Sequence, residues 1–555
     1  MIRSLYKPLI TVLAAFIFFS HCLLMASPAA GDFPVRDFQK VLLLFTNDVH
    51  GGIPRTEARF MNPDFPPQIG NGPALAAYVK QIRAEAEKED WGLIITDAGD
   101  FFSGTPVGSM TRGAAMIEFM NAVGYDATVM GNHDFDKSWQ AMQEGSGKAD
   151  FPFLGANIVD IRTGTQPEWL KPWIIKDVKG IKFGIIGIAT ASTPSMSFPS
   201  HIENLEFLPE IPVLRKTVPE VRAAGADVII VLSHMWLEYE REESARRLYE
   251  SGYAQIDSAR RGVNGMEAAA AVPGIDIMFT GHVHRGFTQP YECPVNQTLI
   301  FQNYANGSNL GHVNIYVHRE SRTLAGFDNP IDNSNIITLM EDEFWIDGET
   351  DSVIALRVAE AEKGFDEVLT VLKAPLRRSG DGESVLGNMI VDAMTYASGA
   401  DIAFSNFGGI RADLESGPLT PRELFRVLPF GNKITVFNVP GSFIEELMEQ
   451  RVRGNSRGML LSGMKVTVDK RKPDGERVQI QSIGGRPFDA EKIYKLAVSD
   501  YLAEGNSGYN LLTSVDPSAV SYTGIVIRQA LIDYIVSGKS SSTRVDGRWN
   551  LIRAR

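Results

Sequence analysis

Leu42-Leu43-Leu44-Phe45 runs into Asn47-Asp48-Val49-His50-Gly51, and the same pattern recurs four more times along the chain. Leu93-Ile94-Ile95 runs into Asp97-Ala98-Gly99-Asp100, and Thr128-Val129-Met130 into Gly131-Asn132-His133-Asp134. Val228-Ile229-Ile230-Val231-Leu232 runs into Ser233-His234, and Ile275-Asp276-Ile277-Met278-Phe279 into Gly281-His282-Val283-His284. Short apolar runs closed in this way read as buried strands, and open α/β sheets place their chemistry just beyond the carboxyl ends of strands. Five such ends on one edge bring Asp48, His50, Asp100, Asn132, His234, His282 and His284 together. That predicts a metal site with ligands enough for two ions.

A single Asp-x-His or His-x-His after a strand is commonly a loop cap or a surface histidine, so the recurrence carries the reading. The clusters hold five of the nine histidines. His21 lies in the N-terminal segment, while His201, His312 and His318 fall outside the pattern and read as structural or surface residues. Nitrogen and oxygen ligands without thiolates suit zinc, manganese, iron or cobalt. A carboxylate can bridge two cations, and Asp100 is the natural candidate. Two cations roughly 3.5–4 Å apart form a clamp for in-line displacement at phosphorus, neutralising phosphoryl oxygens and lowering the pKa of water. His133 need not bind metal: with Asp134 beside it, it can protonate a leaving alkoxide while the carboxylate positions the ring. The alternative for Asp134 is a helix N-cap.

The chain has 555 residues, 44% of them hydrophobic and 22% charged, which predicts a folded protein of at least two domains. Its net charge of −13 argues against nucleic acid or an anionic membrane as the main partner. An anionic substrate must then be drawn in locally, by metals and a few arginines. Residues 1–30 read as a signal peptide: Arg3 and Lys7 precede an apolar run from Leu9 to Met25, and Ala26-Ser27-Pro28-Ala29-Ala30 offers a cleavage site. This predicts export to a periplasm or the extracellular space, with no stable membrane insertion after cleavage; an uncleaved anchor is the alternative. Cys22 lies in that segment and Cys293 alone would remain, so no intramolecular disulfide is expected.

Between the first strands, Leu75, Tyr78, Val79 and Ile82, and then Met116, Phe119, Met120 and Val123, recur at helical spacing as faces covering a sheet. Alternating strands and helices predict a layered α/β domain over residues 38–335. Phe183–Ile188 reads as a further strand serving the core. Residues 336–373 read as a linker with a helix from Asp351 to Val371, using Val353, Leu356, Val358, Ala361 and Phe365 as its apolar positions and weakened by Gly364. Residues 374–553 read as a second domain. It has no histidine, and offers Ser405-Asn406-Phe407-Gly408-Gly409-Ile410-Arg411, Leu428-Pro429-Phe430-Gly431 and a stretch from Asp500 to Tyr509. Arg411 can fork onto an anion, Phe430 and Tyr501 can sandwich a planar ring, and glycines permit close backbone approach. Together these suggest recognition, although each taken alone is as readily a turn or a core aromatic.

Asn47-Asp48-Val49-His50-Gly51, Gly99-Asp100, Gly131-Asn132-His133-Asp134 and Gly281-His282-Val283-His284 resemble the signature blocks of calcineurin-like metallophosphoesterases. With Asn406-Phe407-Gly408-Gly409-Ile410-Arg411 and Leu428-Pro429-Phe430-Gly431, the chain resembles the two-domain 5′-nucleotidase family from residue 40 to about 550. The resemblance implies a four-layer α/β/β/α metallophosphatase domain joined by a linker helix to an α/β nucleotide-binding domain that rotates to deliver substrate. It implies one metal on Asp48, His50, Asp100 and His284 and another on Asp100, Asn132, His234 and His282. It also implies His133 and Asp134 as a catalytic dyad, Asn406 and Arg411 as nucleotide contacts, and Phe430 and Tyr501 as a base clamp. Three positions depart from the family pattern. Ser507 stands where an acidic residue commonly holds the ribose, Tyr501 replaces a common Phe, and Gly382 stands where an arginine is expected, leaving Arg377 or Arg378 to reach the phosphate.

The expected activity is hydrolysis of nucleoside 5′-monophosphates to nucleoside and phosphate, in nucleotide salvage, with UDP-sugars as further substrates. A 2′,3′-cyclic nucleotide 2′-phosphodiesterase with 3′-nucleotidase activity is the alternative on the same fold, and a sulfur-ester hydrolase a more distant one. A non-catalytic nucleotide-binding surface protein would have lost metal ligands, and none of the seven is missing. No His-Glu-x-x-His occurs, which argues against a zinc protease of that type. Metal identity, preferred base and oligomeric state are left open by the sequence.

Overall fold

The computed structural model describes residues 33–553 except 59, 60, 63, 252, 254, 255, 332, 379–382, 454–457 and 540–544. The N-terminal segment expected to be a signal peptide, with His21 and Cys22, and Gly382 lie outside the described residues. Among those described, no helix is long and apolar enough to cross a membrane.

The strand Phe38–Thr46 lies inside a seven-stranded sheet, parallel to Gly92–Asp97 on one side and antiparallel to Asn309–His318 on the other. Ala127–Val129 continues the parallel run. A six-stranded sheet carries Ile181–Ile188, Val228–Ser233 and Ile277–Thr280 in parallel. Strand alternation explains how the two sheets meet. Val41, Leu43 and Phe45 pack against Ile185, Ile230, Leu232 and Phe279 of the other sheet. Leu42 and Leu44 face the opposite way, toward the helices Asn71–Lys88 and Ala114–Val123. In the second sheet, Ile229 and Val231 face Glu210–Ala223 and Gly265–Ala271. Both strand faces are therefore buried, which is why these strands read as continuous apolar runs. The result is a helix–sheet–sheet–helix stack. The five polar strand ends come from two facing sheets, where the sequence reading put them on one edge.

The helix Gly348–Ala361 starts where the Asp347 carboxylate accepts the Thr350 N–H at 2.9 Å. It is shorter than the expected Asp351–Val371. Gly364 adopts a left-handed φ of 84°, and Thr370–Leu372 becomes a strand paired with Gly417–Leu419. Its packed positions are Ile354, Val358 and Ala361, set against the first half of the chain, whereas Val353 and Leu356 are exposed. Arg357 ties the helix to Glu118 at 2.8 Å.

Beyond it, a five-stranded sheet is ordered Leu460–Ser462, Ile402–Ser405, Ile493–Ser499, Lys433–Pro440 and Val520–Val526. The helices Val385–Ser398 and Ile527–Val536 cover one face. The helix Gly441–Arg451 and a four-stranded sheet share the core on the other. Ser405 and Ser499 end adjacent parallel strands, so Asn406 and Tyr501 emerge from the same edge.

Candidate active site

The strand ends turn sharply as they leave the sheets. Asp48, His50, Asp100, His282 and His284 all have left-handed backbones, with φ between 51° and 74°. Non-glycine residues adopt this region at a cost, tolerated best by Asp, Asn and His, and it clusters at functional sites. Backbone bonds hold the turns: Asp48 N donates to Gly99 O and His50 N to Asp100 O, both at 2.9 Å. Asp97 lies beneath, fully buried, accepting from Thr46 Oγ1 at 2.7 Å, Thr128 Oγ1 at 2.9 Å and Gly99 N at 2.9 Å. Burial pushes its carboxyl up to about 7 against those three donors. It joins three strand ends under the site, a role the sequence reading did not assign.

Two ligand groups result. In one, His50 Nε2 and His284 Nε2 face each other at 2.9 Å, with Asp48 Oδ1 3.9 Å and 3.5 Å away. In the other, His234 Nε2 is 2.9 Å from Asp100 Oδ2, His282 completes the group, and Asn132 Oδ1 lies 2.9 Å from His282 Nδ1. Asp100 Oδ2 also comes within 3.9 Å of His50 Nε2, so one carboxylate oxygen reaches both groups. His50 Nδ1 points at Ser103 O at 2.5 Å and His234 Nδ1 at Ala98 O at 2.8 Å. These carbonyls place the ring proton on Nδ1 and leave Nε2 facing the centre, the usual orientation of metal-bound histidines.

The electrostatics agree. Burial, then His284, holds His50 well below the ordinary histidine value, and burial, then His234, lowers His282 to about 3. Burial also pulls on His234, but the Asp100 carboxylate prevails and raises it to about 10. His50 and His282, held neutral with lone pairs available, together with His234, whose Nε2 proton a bound cation would replace beside Asp100, and two buried carboxylates fit divalent cations of borderline softness.

Glycines make room. A Cβ on Gly131 would stand 2.1 Å from Asp100 Oδ1 and 2.5 Å from Asp100 N, inside any tolerable contact. Gly131→Ala is expected to displace Asp100, lowering bound metal and cutting turnover about 100-fold or more, with stability reduced by roughly 1–3 kcal/mol. Elemental analysis together with turnover of the purified variant checks this.

The dyad reading is corrected. His133 Nδ1 pairs with Asp136 Oδ2 at 3.1 Å, and Asp136 also accepts from Ser103 Oγ at 2.5 Å. Asp134 turns inward, fully buried, and accepts the backbone N–H groups of Asp100 at 2.9 Å, Phe101 at 3.0 Å and Gly131 at 2.8 Å. The reason is local: His133–Phe135 is a 3₁₀ turn, in which side chains three apart share a face and adjacent ones diverge. That spacing was the sequence signal for Asp136, and it was missed. Burial draws the His133 imidazole down, but Asp136 and then Asp100 hold it above the ordinary value.

Residues of the second half meet these across a cavity of about 730 Å³. Asn132, His133, His282 and His284 line it with Asn406, Arg411, Phe430, Tyr501 and Ser507. Phe430 stacks on His133, ring centres 5.1 Å apart, and Arg411 lies 5.5 Å over the same Phe430 ring. Burial lowers Arg411, with Asp100 opposing, so its charge is felt at the carboxylates. Tyr501 meets Phe198 edge-on at 6.0 Å, and Ser507 Oγ donates to the Tyr501 hydroxyl at 3.3 Å. Of the two further arginines, Arg377 is engaged by Glu415 at 3.0 Å, while Arg378 Nη1 donates to the Arg411 carbonyl at 2.8 Å.

Residues 41–286 match the family model described as calcineurin-like phosphoesterase, and residues 358–514 match the 5′-nucleotidase C-terminal domain. The chain belongs to the two-domain 5′-nucleotidase family and is a metal-dependent phosphoester hydrolase using divalent metals. It is 27% identical over 546 residues to a snake venom 5′-nucleotidase of Gloydius brevicauda, covering 92% of this chain and 87% of that one. Similarity to endonuclease YhcR of Bacillus subtilis is 26% over 514 residues, 89% of this chain but only 39% of that longer protein. A solved 5′-nucleotidase precursor from Thermus thermophilus shares the fold, with a TM-score of 0.76, 24% identity, 93% of this chain and 100% of that one covered.

Proposed function

We propose that this protein, exported on its N-terminal leader to a periplasm or the extracellular space, hydrolyses nucleoside 5′-monophosphates to nucleoside and phosphate, with UDP-sugars as further substrates. The observation that carries this reading is the shared cavity in which His133, Asn132 and the two ligand groups of one half face Arg411, Phe430 and Tyr501 of the other. Asp48, His50, Asp100 and His284 would hold one divalent cation, and Asp100, Asn132, His234 and His282 the other. Bound there, the cations supply Lewis-acid polarisation of the phosphoryl group and activation of water. Arg411 and the Asn132 amide bind and orient phosphoryl oxygens, and His133, held by Asp136, gives a proton to the departing 5′ oxygen. Phe430 and Tyr501 hold the base, Asn406 stands beside Arg411 for the nucleotide, and Ser507 offers a neutral hydroxyl to the ribose.

The test is phosphate release by the manganese- or zinc-loaded protein from AMP, UDP-glucose, 3′-AMP and 2′,3′-cyclic AMP, with products separated. Preference for AMP or UDP-glucose supports the proposal. Preference for the cyclic or 3′ ester replaces the substrate while keeping the centre, and silence on all four removes it. Base stacking on an aromatic side chain contributes about 1–3 kcal/mol. Phe430→Ala or Tyr501→Ala should therefore weaken kcat/KM for AMP about 10- to 100-fold, and much less for an aryl phosphate. Equal losses on both would reassign the two rings to packing.

A further inference from the structure

The same cavity carries three donors that phosphate-ester cleavage at the metal centre does not use. Lys137 follows Asp136 in the first half, His201 closes the short turn Pro199–His201, and Arg528 lies in the first turn of the helix Ile527–Val536 on the opposite wall. Among the described residues, neither Lys137 nor Arg528 has an ion-pair partner. His201 Nδ1 is buried without a hydrogen bond, while the ring is also held by the Phe135 backbone. Of the three carboxylates lining the cavity, Asp136 is held by His133 and Ser103, and Asp500 by Asn432 Nδ2 at 3.1 Å and the Tyr501 N–H at 2.9 Å, while burial, then Asp500, raises Glu504 to about 7.

These donors are held in place. Arg528 Nη1 donates to Leu428 O at 2.5 Å, and its guanidinium lies 4.1 Å over the Phe425 ring. Lys137 Nζ reaches across the cleft to within 4.0 Å of where a Cβ on Gly431 would stand, beside Phe430. His201 packs 4.9 Å from Phe198, the ring that meets Tyr501. Burial lowers Lys137, Arg528 and His201; Asp136 opposes the shift at Lys137 and at His201, while Arg528 adds to it at Lys137 and Lys137 adds to it at His201. Lys137 and Arg528 are half-buried cations that face the cavity and can take an anion there. The donors stand at the edge of Phe430 and Tyr501, on the nucleoside side of the cavity.

Resting on the nucleotide reading above, we propose that Lys137, His201 and Arg528 form a second anion subsite, which receives a phosphate carried on the ribose of a nucleotide whose 5′-phosphate faces the metal centre. The preferred substrates are then nucleoside 2′,5′- or 3′,5′-bisphosphates. A phosphate added to the 5′ chain, as in ADP, would extend toward Arg411 and the metal ligands and miss the subsite.

The experiment compares kcat/KM of the manganese-loaded protein for 5′-phosphate release from AMP, ADP and the two adenosine bisphosphates, and measures their binding to the metal-free protein by calorimetry. One bisphosphate should exceed AMP by about tenfold or more, in line with charge-assisted hydrogen bonds. Lys137→Gln and Arg528→Gln should each cut the bisphosphate-to-AMP ratio about tenfold, and Lys137→Arg should keep it. If Arg528→Gln does not fold, the two Lys137 variants decide. No bisphosphate preference, a preference that survives Lys137→Gln, or an equal gain for ADP overturns the subsite. AMP cleavage without bisphosphate preference sinks only the subsite. Lys137-dependent bisphosphate binding without AMP cleavage sinks only the hydrolysis reading.

Discussion

Asp100→Ala is expected to abolish turnover, by at least about 10³-fold, and to bring bound metal below one ion per chain. Asp100 Oδ2 reaches both ligand groups, at 2.9 Å from His234 Nε2 and 3.9 Å from His50 Nε2, and comes closer to His234 than Asp48 Oδ1 does at 3.8 Å. Its other oxygen accepts the His133 N–H at 2.7 Å, so the substitution also frees the loop bearing Asn132 and His133. Removing it takes out a charge that opposes two cations, and polarisation by bound metal contributes several kcal/mol to such reactions. Asp100→Asn keeps the shape and the backbone bond while removing the charge. It should fold like the parent and still lose metal, which separates ligation from packing. Metal-to-protein ratio by elemental analysis, read alongside AMP turnover, checks both; a fully metallated, active Asp100→Ala protein would refute the site.

His133 and its neighbours give the second large effect. His133→Ala should lower kcat by about 10²–10⁴-fold, the range for a lost general acid, while bound metal stays near the parent level. His133 belongs to neither ligand group. Asp136→Asn should lower kcat by about 10- to 100-fold and move the alkaline limb of the pH profile downward. The sign follows from the direction of the shift. Asp136 and Asp100 hold the His133 proton above its ordinary range despite burial, so removing the Asp136 charge lets the ring deprotonate at lower pH. Asp134→Asn should behave otherwise. It sets an amide N–H against backbone N–H groups in a fully buried pocket, at a cost of roughly 1–3 kcal/mol. Its melting temperature and metal content should fall together. If Asp134→Asn instead shifted the pH profile with metal and stability intact, the assignment of the two acids would reverse.

The apolar runs and their closing Asp, Asn and His residues were legible because both are local. A strand buried on two faces needs an unbroken run such as Leu42–Phe45, and a turn at a strand end tolerates the left-handed backbone seen at Asp48 and His282. The helix faces at Leu75–Ile82 and Met116–Val123 were legible for the same reason, since 3.6-residue periodicity is written along the chain. Tertiary structure decided the rest. It split the five strand ends between two facing sheets, chose Ile354, Val358 and Ala361 over Val353 and Leu356 as the packed side of the linker helix, and ended that helix before Gly364. It turned Asp136 and not Asp134 toward His133, because direction around a 3₁₀ turn, and not adjacency, sets which side chains meet. It also brought Lys137, His201 and Arg528 into one cavity from distant positions in the chain, where the sequence had left His201 a structural residue and the other two unremarked. Ligand type is a property of single residues and can be read in order along the chain. Which charges share a desolvated space depends on how the two halves of the chain close on each other, and no local pattern encodes that.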